Sequence, residues 1–235
     1  MVQVIAGLDE AGRGAVIGPL VIVGISFEED KIKELDKIGV RDSKELSQSR
    51  RVKLAEKIEE LAKDIVIIKV EACKIDSYRR DGTNLNKLEG IKFADIINLL
   101  SPDIAYIDLP ENNSEKFGRF IKKMLREEAE NCKLILEHKA DSRYKVVGAA
   151  SIIAKVEREK AIDELKKEYG DFGPGYSSNP KTIEWLRKWI KKHKKYPKIV
   201  RKSWITAELI KGESEQSKLH GFFERFKRKK EECTD

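Results

Sequence analysis

Residues 2–27 read VQVIAGLDEAGRGAVIGPLVIVGISF, and the fold turns on how this stretch divides. Apolar side chains alternate through "VQVIAGLD" (2–9), as in a strand with one buried face. The run "GPLVIVGISF" (18–27) is continuously apolar and fits a fully buried strand. A glycine-bearing turn between them predicts an antiparallel hairpin. At that turn stand two adjacent carboxylates, Asp9 and Glu10, and then Arg13 between Gly12 and Gly14. Neighbouring acids repel each other and glycines offer nothing to pack, so the turn does not serve the core.

Working outward, residues 47–63 carry helical apolar spacing behind Ser47 as a candidate N-cap, and "DIVIIKVEA" (64–72) returns as a strand. Residues 84–100 read as a helix stopped by Pro102, with Ile91, Ala94, Asp95, Ile97 and Asn98 at turn spacing. "DIAYID" (103–108) is a short strand, 114–130 an amphipathic helix, "KLILEH" (133–138) a fifth strand and 144–169 a long helix. Strands come first, then helices alternate with further strands. This order predicts an α/β layer architecture, a mixed sheet flanked by helices, with a helical C-terminal portion from about residue 159. One domain over 1–208 and a tail over 209–235 are expected, the polar segment "KGESEQS" (211–217) being read as a linker.

Charged residues make up 38% of the 235 and hydrophobic ones 40%, which describes a folded chain with a densely ionic surface and excludes a disordered one. Many charges with few Gln, Cys and Met is also a pattern of heat-adapted proteins. A net charge of +7 favours a polyanionic partner. Between Lys181 and Lys202 ten Lys or Arg face the single acid Glu184, with Trp185, Trp189 and Tyr196 interleaved. This segment is either a phosphate-backbone footprint or a solvated helix face above an aromatic stripe. Cys73, Cys132 and Cys233 have no metal-ligand or disulfide pattern, no apolar run approaches 18 residues, and no leader is evident, so a cytoplasmic protein off the membrane is expected.

Asp9 and Glu10 follow one strand, Asp108 ends another, and Asp141 follows "KLILEH" by a short loop and precedes a helix. Each alone could be a turn residue, a cap or a solvated acid. Together at strand ends they share an address where α/β sheets build ligand sites. Carboxylates gathered there would raise one another's pKa unless hard cations such as Mg²⁺ or Mn²⁺ neutralise them. His138, His193 and His220 are scattered and form no alternative ligand set. The glycines at 12, 14 and 18 lack dinucleotide-cradle spacing and lead into a strand, so they imply either close backbone approach to a ligand or a plain tight turn.

"DEAGRG" (9–14) with "GP" (18–19), "RDSKELS" (41–47), "YID" (106–108), "HKAD" (138–141), "VVGAASIIAKV" (146–156), "GPGY" (173–176) with "NPKT" (179–182) and "RKSW" (201–204) resemble ribonuclease HII, in its archaeal form. The motifs run in family order from residue 6 to about residue 206. The resemblance implies an RNase H-like fold with a mixed five-stranded sheet. It implies an endoribonuclease that cuts the RNA strand of RNA/DNA hybrids and cuts at ribonucleotides embedded in duplex DNA. It places the catalytic and metal-binding acids at Asp9, Glu10, Asp108 and Asp141, holding two divalent ions, and implies 3′-hydroxyl and 5′-phosphate products. Gly12, Arg13 and Gly14 match the segment that reads the ribose 2′-hydroxyl, largely through backbone groups. Tyr176 matches the tyrosine that stacks on the next sugar, while Lys44, Ser151 and Lys155 match positions along the substrate path. The family usually reads closer to GSGYPSDP where this chain has GPGYSSNP (173–180), so Pro174 and Asn179 mark a departure beside Tyr176.

Gln216, Leu219, Phe222 and Phe223 are similar to the Q-x-x-L-x-x-F-F peptide by which replication and repair enzymes dock on the sliding clamp; the competing expectation is a last helix packed on the body. A monomer is expected. Two other functions fit parts of the pattern: a non-catalytic hybrid-binding module tethered to the clamp, which has no use for four acids, and ribonuclease HIII, whose extra N-terminal domain is not expected in a chain that starts at the first catalytic strand.

Overall fold

The computed structural model describes residues 2–40, 47–110 and 113–216. Strand β1 (Val4–Ala11) pairs antiparallel with β2 (Leu20–Glu28), Val4 facing Glu28 and Ala11 facing Val21, so the hairpin read from the sequence is present. β3 (Asp64–Val70) extends the sheet antiparallel on the outer side of β2, whereas β4 (Ile104–Asp108) and β5 (Lys133–Glu137) run parallel to β1. The sheet is mixed and five-stranded, in the order β3-β2-β1-β4-β5.

The central strands are apolar throughout because both faces of the sheet are covered. On one side Ile5, Ala11, Val21 and Val23 meet Leu54 and Ile58 of α2 (Gln48–Leu61) and Val147, Ala150 and Ile153 of α7 (Lys145–Tyr169). On the other, Ala6, Leu8, Leu20 and Ile22 meet Phe93, Ile96 and Ile97 of α4 (Leu85–Leu100) and Phe117 of α5 (Ser114–Lys122). Each Leu or Ile side chain so buried contributes about 1.5–3 kcal/mol before conformational entropy is set against it. Helix α7 lies on the backbone of β1 itself: a Cβ added at Gly7 would fall 2.1 Å from the Val146 carbonyl oxygen.

A third apolar cluster holds the C-terminal portion to the sheet's end. It gathers Val16 and Ile17 from the glycine turn, Ile162 from α7, Leu186 and Ile190 from α8 (Pro180–His193), and Ala207 and Ile210 from a helix over 205–216, here α9. Residues 211–216 therefore continue a helix and are not a linker; Lys211 and Glu215 pair one turn apart on it, and its polarity reflects exposure.

Two other expectations are corrected. The helix expected over 114–130 ends at Lys122, because the Asn98 side chain captures the following turn, donating to the Met124 carbonyl at 3.0 Å and accepting from the Arg126 amide at 2.8 Å. Two short helices, α1 (Ile32–Lys37) and α3 (Ala72–Arg80), fill segments without strong periodicity, and a four-residue helix, α6 (Ala140–Arg143), precedes α7. Of the face expected on α4, Ala94 and Ile97 are buried, whereas Ile91, Asp95 and Asn98 are not; Leu88, Glu89, Phe93 and Ile96 complete the buried face. In the basic segment Trp185 and Trp189 stack at 4.8 Å and Trp189 and His193 at 4.3 Å, while Tyr196 and Arg201 are buried; the aromatics form a packed stripe under an exposed cationic face. Cys73 and Cys132 are free thiols, and no described helix is long and apolar enough to cross a membrane.

Candidate active site

β1 runs on to Ala11, so Asp9 and Glu10 are strand residues, not turn residues. Successive strand side chains point to opposite faces. Asp9 therefore joins the face packed by α7, and Glu10 the face packed by α4. In the parallel pairing Leu8 stands opposite Ile107, which brings Asp9 alongside Asp108 at the ends of β1 and β4.

Asp9 is buried; its Oδ1 accepts from the Glu10 amide at 2.7 Å and it accepts a further hydrogen bond from Ser151 on α7. Burial pushes its carboxyl up to about 7, the Ser151 hydrogen bond opposing and the charge of Asp108 adding. Glu10 is also held well above the usual carboxylate range, by burial first and then by Glu89, Asp9 and Asp108. Its Oε2 is buried and has no hydrogen-bond partner among the described residues. Asp108 Oδ1 accepts from the Ala140 amide at 2.8 Å, which pins the start of α6 and sets Asp141 next in the chain to that contact. Asp141 is the second residue of α6, so it stands inside that helix and is not its N-cap.

Among the described residues no three His, Cys, Asp or Glu side chains are arranged so as to hold an ion as they stand. The donor chemistry is nevertheless that of a hard-cation site: oxygen ligands alone, raised by burial first and then by one another's charge, with one buried carboxylate oxygen lacking a donor.

The glycine turn is fixed from three sides. Gly12 has φ of +86°, and a Cβ there would fall 2.3 Å from Arg158 Nε; Gly14 has neither constraint, with nothing within 4 Å of an added Cβ. The Arg13 side chain, 37% exposed, lies along α4, its Nε donating to both carboxylate oxygens of Glu89 at 2.8 and 3.1 Å and its Nη2 to Asn86. Burial pushes Glu89 up to about 7 against the pull of Arg13. Arg201 is fully buried and donates to the carbonyls of Gly18, Arg13 and Gly12 at 3.1, 2.9 and 2.8 Å; burial lowers it to about 9. Asp76 on α3 holds the next residues by accepting from the amides of Lys202 and Ser203 and from the Ser203 hydroxyl.

Tyr176 lies against this turn. Ala15 bridges to Tyr176, and the amides of Val16 and Ile17 both donate to the Gly175 carbonyl, at 2.8 and 3.0 Å. The Arg158 guanidinium stacks 4.5 Å from the Tyr176 ring centroid and donates to the Pro174 carbonyl at 2.9 Å. Asn179, one of the departures, caps α8 by accepting from the amides of Lys181 and Thr182. An aspartate would make the same cap, so this change leaves the loop's anchor intact. A cleft of about 530 Å³ opens from Ala11 past Lys155, Arg158 and Tyr176 to Lys181.

Of the residues expected at the site, Asp9, Glu10 and Asp108 interact with one another, Asp141 follows the Ala140 amide that Asp108 holds, and Gly12, Arg13, Gly14 and Tyr176 form one neighbouring surface. Ser151 is buried behind Asp9 and accepts from Lys155 Nζ at 3.0 Å, while Lys155 reaches the cleft. Lys44, Leu219, Phe222 and Phe223 lie outside the described residues, and Gln216 is exposed at the end of α9. Sequence reasoning missed Glu89, Arg158 and Arg201. An acid on the apolar face of α4 was the available signal for Glu89; the buried arginines gave none.

The family model for ribonuclease HII matches residues 6–207. Ribonuclease HII from Pyrococcus abyssi is 46% identical over 227 residues, covering 95% of this chain and 99% of that protein. The crystal structure of ribonuclease H2 from Pyrococcus horikoshii OT3 superposes with a TM-score of 0.84 at 41% identity, covering 91% of this chain and 99% of that one. The RNase HII chain in a PCNA:RNase HII complex from Archaeoglobus fulgidus matches with a TM-score of 0.79 at 42% identity, over 88% and 96% of the two chains. A structure of Bst-RNase HIII in complex with Mn²⁺, at 20% identity and a TM-score of 0.75, shares the fold.

Proposed function

The chain belongs to the ribonuclease HII family and is a type 2 ribonuclease H, and from that premise we propose that it cuts the RNA strand of RNA/DNA hybrids and also cuts at ribonucleotides embedded in duplex DNA. The observation that carries this reading is the register of β1 and β4, which sets Asp9 beside Asp108 with Glu10 across the strand and the glycine turn two residues on.

Asp9, Glu10, Asp108 and Asp141 would hold two divalent ions, Mg²⁺ or Mn²⁺, which would activate a water and offset charge on the leaving 3′-oxygen, so that the products would carry 3′-hydroxyl and 5′-phosphate ends. The protein's own groups do the rest. Ser151 orients the Asp9 carboxylate, and Lys155 behind it presents a cation to the cleft for a backbone phosphate. The main chain at Gly12–Gly14 tests for the 2′-hydroxyl, which alone distinguishes the two sugars at the scissile position. Tyr176 stacks on the following sugar, and its bridge to Ala15 fixes its distance from that test. The exposed lysines of α8 take phosphates further along the duplex.

The tail residues Gln216, Leu219, Phe222 and Phe223 dock on a sliding clamp in the manner suggested by their spacing and by a relative seen in complex with PCNA. The test of the whole reading is cleavage, with Mg²⁺ or Mn²⁺, of three matched duplexes: an RNA/DNA hybrid, DNA carrying one ribonucleotide, and DNA alone. The first two are cut and the third is not; equal cutting of the third would overturn it.

A further inference from the structure

Arg13 carries the only long side chain in a turn otherwise built of glycine and alanine (Ala11–Ala15), and its guanidinium is held on α4. Its Nε is held by both oxygens of Glu89, which is fully buried, and its Nη2 by Asn86. Asn86 and Glu89 stand three residues apart, on one face of the first turns of α4, and Asn84 caps that helix by accepting from the Lys87 amide at 2.9 Å. The short stretch NLNKLE (84–89) thus starts a helix and aims two acceptors at one guanidinium. Arg201 meanwhile takes the carbonyl of Arg13 from the other side. The peptide between Arg13 and Gly14 is therefore gripped at its side chain and at its oxygen, and the space beside Gly14 stays open.

We propose that Glu89, assisted by Asn86, is a specificity-determining positioning residue: it anchors Arg13 away from the substrate so that the main chain at Arg13–Gly14, and not the guanidinium, meets the sugar. This deepens the reading of the turn given above and rests on it. Removing the anchor lets the turn relax and frees a long cation beside the scissile sugar, which blurs the distinction between a 2′-hydroxyl and an isosteric 2′-fluorine.

The test compares cleavage rates on two duplexes that differ at one sugar, a ribonucleotide or a 2′-fluoro-2′-deoxyribonucleotide. The ratio of the two rates is independent of how much enzyme is folded. In Glu89→Ala the ratio falls about tenfold, Glu89→Gln, which keeps an acceptor for Nε, recovers most of it, and Arg13→Ala combined with Glu89→Ala is no worse than either alone. If Glu89→Ala does not fold, the ratio in Glu89→Gln and Arg13→Ala decides. A ratio unchanged in every soluble variant overturns the inference while leaving the nuclease intact; an unmutated enzyme that cuts neither substrate overturns the underlying function instead.

Discussion

Arg201 reaches across 189 positions of the chain to donate its Nη2 to the carbonyl oxygen of Gly12 at 2.8 Å. The same buried guanidinium serves Arg13 and Gly18, and its planar fork lies 4.8 Å from the Trp204 ring. Three carbonyls of a glycine turn that cannot bond one another are thereby satisfied by one side chain. Arg201→Ala takes that donor from the Gly18 and Arg13 carbonyls and leaves Gly12 with the Ala15 amide at 3.2 Å, and destabilises the protein by about 3 kcal/mol or more. Arg201→Lys, which brings one point charge in place of a fork, recovers part of this. Denaturant melts of both variants check it; an Arg201→Ala midpoint equal to the parent's would contradict it.

Gly12 and Gly14 separate folding from function. Gly12→Ala places a Cβ in a left-handed conformation and against Arg158, and destabilises by about 2 kcal/mol or more. Gly14→Ala meets nothing in the protein and changes stability by about 0.5 kcal/mol or less, yet lowers cleavage at an embedded ribonucleotide more than about tenfold, because the added methyl occupies the space the sugar approaches. Melting curves and initial rates on the same preparations decide the matter. A destabilised Gly14→Ala, or one of full activity, counts against this account of the turn.

The acids set a pH dependence whose sign is opposite to the usual one. Asp9 has a folded-state pKa of about 7, above its ordinary 3.8, and Glu89 likewise stands at about 7 against 4.5. The folded protein therefore binds more protons than the unfolded chain between about pH 4 and pH 7, so stability falls as pH rises through that window and levels off above it. In chelator, the melting temperature drops from pH 5 to pH 8 by an amount of the order of a few kcal/mol in stability. Asp9→Asn, which keeps the shape without the charge, shallows this slope and is more stable than the parent at pH 8. Adding Mn²⁺ or Mg²⁺ at pH 8 raises the parent's melting temperature and not the variant's to the same degree. Parallel slopes for the two proteins would refute the assignment of the burden to Asp9.

The parts of the fold legible in the sequence were those written in local periodicity. The β1–β2 hairpin, α2 with its Ser47 cap, and α7 follow from apolar spacing within a single element, and Asp9, Glu10 and Asp108 stood out because strand ends are recognisable. What stayed illegible depends on partners far away in the chain. Glu89 is buried because Arg13, 76 positions earlier, meets it, and nothing near Arg201 announces the carbonyls of the first turn. Glu89 lies on the face of α4 that Phe93, Ile96 and Ile97 pack into the core. Residues 211–216 looked like a linker because an exposed helix turn carries the same polar residues, while Ala207 and Ile210 in the third cluster and the Arg187–Glu213 pair tie that helix down.

The central claim is that Asp9 and Asp108, set side by side by the β1–β4 register, act together with a divalent ion on one phosphodiester. It is tested most directly by single-turnover cleavage of a duplex containing one ribonucleotide, in Mg²⁺ and in Mn²⁺, by the parent, Asp9→Asn and Asp108→Asn, with duplex affinity measured in parallel. The account predicts that both variants bind the duplex within about threefold of the parent and lose cleavage by more than about a thousandfold. Cleavage by either variant within tenfold of the parent would contradict it.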